Sequence, residues 1–418
     1  MNSVSLINRV KYSKVLYSIY FHLGSMCISL LKCFLKSDEK LIVFNSFGGR
    51  KYDDSPKCIY EAMLKDSRFA DYKLVWSFIN PHAHDIPKGK KVKTDTFLYY
   101  KTLLKARAWV TNSSMTRGLA FCGIYTFQLN TWHGTTIKVM GSDIKASNRS
   151  FRIKKGKPNS KDIMLAQGKY DVDMFSRAFN RSRDSFQIIG LPRNDVLAHQ
   201  SGQLRNELKE RLGIDPQKRV LLYAPTFREY EKDDGNNCIS APPIDLRRWE
   251  KILGERYILL FRAHYEVVNV LNVADSDFVK NVSSYPSLDD LMIASDILIS
   301  DYSSIFFDYS IMHKPMICYC YDYDKYQKER GMYFDIREWL PSADDEDALL
   351  QLITSTDVNI ESEATKVFQE RYVTEYGSAT QKSLDIIRQE LSLSKVNCHN
   401  NEYCISVRRS KIGKTKFI

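Results

Sequence analysis

The chain contains no CxxC pair, no GxxxxGK[ST] loop and no GxGxxG placed between a strand and a helix. The nine cysteines are odd in number and scattered, which fits no standard zinc-ligand spacing and suits a reducing cytoplasm. Without the second motif an ATP-hydrolysing P-loop is not expected, and without the third neither is a nicotinamide cofactor. With only 18 Gly and 12 Pro in 418 residues, collagen-like and low-complexity readings fail. No internal repeat at a period of 20–50 residues is present. Acidic residues form no compact cluster, so no tightly bound metal is expected, although a loosely held Mg²⁺ is compatible with the chain. The uncharged run Val15–Leu31 stops at 17 residues, just short of a spanning helix.

Hydrophobic residues make up 44% and charged residues 27%, the balance of a soluble chain with a real core. The length allows two or three domains. The formal net charge is +11, and it gathers at the ends. Residues 1–40 carry six Lys/Arg against two acids, and 405–418 carry five against none. The body is nearly neutral. Basic ends suit an anionic membrane surface or another polyanion; a solvated tail is the plainer reading for 405–418.

In the first segment Leu16, Tyr20, Leu23, Cys27, Leu30 and Phe34 recur at helical spacing, as do Ser18, His22, Ser25, Ser29, Lys32 and Lys36. The pattern predicts an amphipathic helix lying in the membrane plane on the cytoplasmic side. A packed intramolecular or dimer helix and a true span are the alternatives. No small-residue cleavage site follows, so a secretory signal is not expected.

From residue 41 onward, short apolar runs alternate with helical stretches. The runs are Leu41–Phe44, Lys73–Phe78, Ala108–Thr111, Ile124–Leu129, Ile163–Ala166, Phe186–Ile189, Arg219–Tyr223, Tyr257–Phe261, Phe278–Val282, Ile297–Ser300 and Met316–Tyr319. They are apolar on both faces, like strands buried in a parallel sheet. Two successive sets predict an α/β fold of two doubly wound, Rossmann-like domains facing a cleft. The expected boundaries are a membrane-associating segment at 1–40, an acceptor domain at 41–205, a donor domain at 206–392 and a basic tail at 393–418.

Ligands of open α/β sheets bind beyond the carboxyl ends of the strands. Reactive residue types collect there. His133 follows the Ile124–Leu129 run and is the candidate general base. Arg228 and Arg262 are candidates to clamp a pyrophosphate, and His264 to donate to the same phosphates. Ser303 and Ser304 fall at the start of a helix after Ile297–Ser300, where hydroxyls and free N–H groups suit phosphate. Asp301 and Asp308 are candidates to orient the donor. Lys145, Arg149, Arg152, Lys154 and Lys155 belong to a basic stretch through Lys161 with no acid, a candidate surface for anionic headgroups or a phosphate-rich acceptor. Nucleic acid is not expected, since Phe151 is the one aromatic there for a base to stack on.

Taken together, Trp132-His133-Gly134-Thr135, the Gly190–Asp195 stretch GLPRND, the Tyr223–Arg228 stretch YAPTFR, Arg262-Ala263-His264 and the block Leu288–Phe334 resemble the CDP-glycerol glycerophosphotransferase family of teichoic acid and capsule synthesis. The resemblance covers about residues 41–390. It implies a GT-B architecture and transfer of an alditol phosphate, glycerol phosphate first, from a CDP-alditol to a hydroxyl of a lipid-linked anionic polymer, with release of CMP. It also implies His133 as base and Arg228, His264, Ser303 and Ser304 around the donor pyrophosphate. Thr136-Ile137-Lys138 stands where the family often has Pro-Leu-Lys, and Tyr265 where it often has Pro. Glycerol or ribitol, and one unit added or many, stay open. The alternative enzyme reading is a GT-B glycosyltransferase using a nucleotide sugar; the non-enzymatic one is a membrane-bound scaffold for anionic polymers.

Overall fold

The computed structural model describes residues 13–144, 162–226, 228, 242–263 and 273–392. Its first sheet contains β1 (Asp38–Asn45), β2 (Lys73–Phe78), β3 (Lys90–Lys93), β4 (Ala106–Thr111), β5 (Phe127–Asn130), β6 (Asp162–Ala166) and β7 (Phe186–Ile188). Their order is β3-β2-β1-β4-β5-β6-β7, and every pairing is parallel. The second sheet contains β8 (Arg219–Tyr223), β9 (Tyr257–Phe261), β10 (Val279–Asn281), β11 (Ile297–Ser300), β12 (Met316–Tyr319) and β13 (Ser342–Ala343). Their order is β10-β9-β8-β11-β12-β13, again parallel throughout.

The continuous apolar runs follow from burial on both faces. In β1, Ile42 and Phe44 join the core with Trp76 and Phe78, while Leu41 and Val43 join a second core with Val75 and Trp109. In β8, Val220 and Leu222 face one layer, Leu221 and Tyr223 the other. Several expected strands fall on their residues without shift, but the Ile124–Leu129 run becomes strand only from Phe127. The strands β3 and β13, both edges, escape pattern reading because they carry almost no apolar run. One is KKVK, with lysines that discourage further pairing, and the other has two residues.

In both sheets the strand order reverses direction at one place, between β1 and β4 in the first and between β8 and β11 in the second. Those are the switch points at which a crevice opens between diverging loops. The loops after β8 and β11 carry Ala224-Pro225 and Ser303-Ser304.

The final helix, residues 379–392, departs from the expected boundary. Instead of closing the second domain, it places Leu384, Ile387 and Leu391 in the core that holds Phe44 and Trp76. Its apolar face therefore belongs to the first sheet. The two halves are also stitched directly: Val139 N donates to Gly331 O at 3.0 Å, Tyr333 N to Ile137 O at 2.8 Å and Thr374 N to Gln167 O at 2.9 Å.

Helix α1 (Lys14–Cys33) is long and apolar enough to cross a membrane by length and composition, but one side is docked on the first domain. Tyr20 Oη donates to Arg117 O at 3.1 Å, and Ala120 N donates to Ser25 Oγ at 2.9 Å. Ile28 is buried with Leu104 and Leu119. Val15, Leu16, Ile19, Leu23, Met26, Leu30 and Phe34 remain exposed along the other side. Tyr20 and Ser25 thus lie on the docked face, not on the opposing faces expected from sequence. A tyrosine hydroxyl and a serine find backbone partners in the 117–120 turn, which the helical spacing alone does not reveal.

Candidate active site

The crevice of the second sheet holds a cavity of about 280 Å³ lined by Ala224, Pro225, Arg262, Ser283, Ser303 and Ser304, with Arg193 entering from the first domain. Ser304 stands directly before α2 (Ile305–Ser310), and its side chain makes no capping bond. Ser303 Oγ accepts from Ile305 N at 3.3 Å. Two hydroxyls therefore gather at the mouth of the switch-point loop.

Arg262 reaches this cavity from the end of β9. One of its nitrogens, Nη1, donates to the carbonyls of Val282 at 3.1 Å and Tyr285 at 2.7 Å. Among the described residues it has no carboxylate within ion-pair distance. Burial lowers its pKa from the ordinary value, with Asp53 and Asp289 opposing. A half-buried guanidinium held by neutral carbonyls has charge to offer an anionic ligand.

Arg228, expected to clamp a pyrophosphate, is placed differently. It is 1% exposed, and its Nη1 donates to Asp301 Oδ2 at 2.9 Å and to Thr226 Oγ1 at 2.7 Å. Its Nε and Nη2 donate to Asp322 at 2.7 and 2.8 Å. Asp301, expected to orient the donor, is likewise buried and accepts from Thr226 N and Tyr302 N. Both side chains are turned into the protein, where they brace the loops after β8 and β11. Asp308, by contrast, lines the cavity and accepts from Asn194 Nδ2 at 2.7 Å.

His133 sits in the loop after β5. Its Nδ1 lies 2.7 Å from Asn112 O, a contact only a protonated nitrogen can satisfy, so Nε2 carries the lone pair in the neutral ring. The ring stacks on Trp132, centroids 4.1 Å apart. Burial pushes its pKa below the ordinary 6.5, while the Asn112 bond and Asp54 raise it and Arg193 lowers it. The His133 turn meets the donor loop through Gly134, which has φ +134°. A methyl group there would lie 3.0 Å from Ser304 Oγ and 3.2 Å from Arg193 Nη2, so the close approach requires glycine. The His133-Gly134 turn of the first domain and the Ser303-Ser304 turn of the second are therefore neighbours across the cleft.

His264, Lys145, Arg149, Arg152, Lys154 and Lys155 lie outside the described residues, as does the 393–418 tail. No group of three or more metal-ligating side chains occurs among the described residues. Sequence reasoning missed Asp54, Gln167 and the role of Arg193-Asn194. The GLPRND stretch was visible as a motif, but its two ion-pair partners are more than 100 residues away on either side.

Three comparisons bear on this geometry. The family model described as CDP-Glycerol:Poly(glycerophosphate) glycerophosphotransferase matches residues 27–388. The chain is 35% identical over 314 residues to the teichoic acid poly(glycerol phosphate) polymerase of Staphylococcus epidermidis, covering 72% of this chain but 43% of that protein. To the teichoic acid glycerol-phosphate transferase of Staphylococcus aureus it is 33% identical over 365 residues, covering 82% of this chain and 92% of that one. The solved wall teichoic acid polymerase TagF superposes with a TM-score of 0.77 at 29% identity, over 94% of this chain and 99% of that chain. These matches do not favour a nucleotide-sugar glycosyltransferase. With two parallel sheets, a switch-point cavity and a family match over most of its length, the chain belongs to the CDP-glycerol:poly(glycerophosphate) glycerophosphotransferase family and has its GT-B-like fold.

Proposed function

We propose that this protein transfers glycerol phosphate from CDP-glycerol to a hydroxyl of a lipid-linked wall or capsule polymer. The observation that supports it most is the His133-Gly134 turn, its ring with Nε2 unprotonated, packed through Gly134 against Ser304, which lines the cavity together with Ser303 and Arg262. The donor pyrophosphate lies in the cavity against Arg262 and the two serines. The acceptor hydroxyl attacks the phosphorus that bears glycerol, and Nε2 of His133 takes its proton. A new P–O bond forms as the bond to the CMP oxygen breaks, and CMP leaves with that electron pair. Arg262 and the loop donors stabilise the charge that spreads over the phosphoryl oxygens.

The protein works at the cytoplasmic leaflet, with α1 in the membrane plane. Support comes from its exposed apolar stripe running the length of a helix whose other side is committed to the first domain. The basic 145–161 segment and the 405–418 tail add attraction to anionic lipid. The domain boundaries that go with this reading are 41–205 with the returning helix 379–392, and 206–378.

His133→Ala should lower kcat by on the order of 10²–10⁴ while leaving CDP-glycerol affinity near wild type. Near-normal turnover in that variant would remove His133 from the mechanism.

A further inference from the structure

We propose that Arg193 is a positioning residue for transfer: salt-bridged to Asp54 of the first domain and Asp308 of the second, it sets the His133 turn against the Ser303-Ser304 turn and fixes a positive charge beside the imidazole. The inference deepens the reading of His133 as base and rests on it.

The geometry is specific. Arg193 Nη1 donates to Asp54 Oδ2 at 2.9 Å, and Nη2 to Asp308 Oδ2 at 2.5 Å. All three side chains are nearly removed from solvent, at 13%, 4% and 3% exposure. One guanidinium thus spans the domain boundary, which a fork of fixed donors can do and a single ammonium cannot do equally well. The network continues beneath the WHGT turn: Asn194 Nδ2 donates to Asp308 and to Gln167, and Gln167 Nε2 donates to Thr135 Oγ1 at 3.0 Å. Both cleft turns are therefore tied to the Gly190–Asp195 segment.

Asp54 holds φ +64°, a left-handed conformation that aspartate and asparagine adopt more readily than other side chains. Its carboxylate is held there by the Arg193 pair and by the Ser55 amide at 2.6 Å. The charged groups that bear on the His133 ring are Asp54 and Arg193. The other elements around it contribute Phe47, Trp132 and the Asn112 carbonyl. The sign follows directly. Arg193 disfavours imidazolium and Asp54 favours it, so removing one charge or the other should move the ring in opposite directions.

The test uses the full chain in detergent, with selectively labelled histidine and the His133 resonance assigned through His133→Gln. Arg193→Gln should raise the His133 titration midpoint. It should also lower kcat at least tenfold, with a smaller change in donor KM. Arg193→Lys should keep the midpoint near wild type yet lose most of kcat. Asp54→Asn should lower the midpoint, and asparagine tolerates the left-handed backbone there. If Arg193→Gln fails to fold, Asp54→Asn carries the test with the opposite sign. A folded Arg193→Gln or Asp54→Asn protein with an unmoved midpoint would overturn the proposal, as would a pure KM effect in Arg193→Lys. A midpoint that moves while the kcat/KM profile does not follow supports the Arg193 assignment and counts against His133 as the base.

Discussion

Two arginines placed at the carboxyl ends of neighbouring strands by sequence have opposite fates, and the difference is which carboxylates fold back on them. Arg228 is enclosed by Asp301 and Asp322, whereas Arg262 meets only carbonyls on its described side. Arg228→Met should therefore destabilise the protein by about 3–5 kcal/mol, because it removes the charge that neutralises buried Asp301 and half-buried Asp322. Arg262→Ala should leave the denaturation midpoint near wild type and weaken CDP-glycerol binding instead; urea titration and calorimetry on both variants check this. A stable Arg228→Met protein with lost donor affinity would restore Arg228 to the phosphate site. For His133, burial holds the ring below its ordinary 6.5. The base form thus survives as pH falls through that value, and the acidic limb of kcat/KM should lie below it. The same shift costs stability below 6.5, since the unfolded chain takes up the proton first. An acidic limb above 6.5 would contradict the placement of the ring. Residue types at strand ends were legible in the sequence, but their direction was not: nothing local to Arg228 announces Asp322, 94 residues on.

At the scale of elements, central strands were legible because two-sided burial writes uninterrupted Val, Ile, Leu and Phe, while short polar edges write almost nothing. The helix α1 was legible as amphipathic but not as docked. Its docked side is held by Tyr20, Ser25 and Ile28, so the exposed stripe alone is free to enter lipid. Leu23→Glu with Leu30→Glu should release the protein from anionic vesicles while its thermal midpoint stays within a few degrees. Each buried leucine contributes roughly 1.5–3 kcal/mol to membrane burial. Ile28→Glu should do the reverse and lower the thermal midpoint, because it opens the contact with Leu104 and Leu119. Vesicle sedimentation in low and high salt, run beside thermal melts, separates the two faces. Unchanged sedimentation of the double variant would place membrane contact elsewhere.

For the whole molecule, the two sheets are joined by backbone bonds between 137–139 and 331–333, by the 379–392 helix and by Arg193. Such ties hold the His133 turn and the second-sheet cavity in register, which in the proposed function keeps proton removal and phosphoryl transfer in one place. The measurement that bears on this most directly uses CDP-glycerol labelled at the glycerol-bearing phosphate, a lipid-linked acceptor analogue, and the wild-type and His133→Ala proteins. Wild type should release unlabelled CMP in equal amount to label gained by the acceptor, and His133→Ala should do neither at a comparable rate. Release of CDP, or label recovered as free glycerol phosphate with none on the acceptor, would contradict phosphoryl transfer to that hydroxyl.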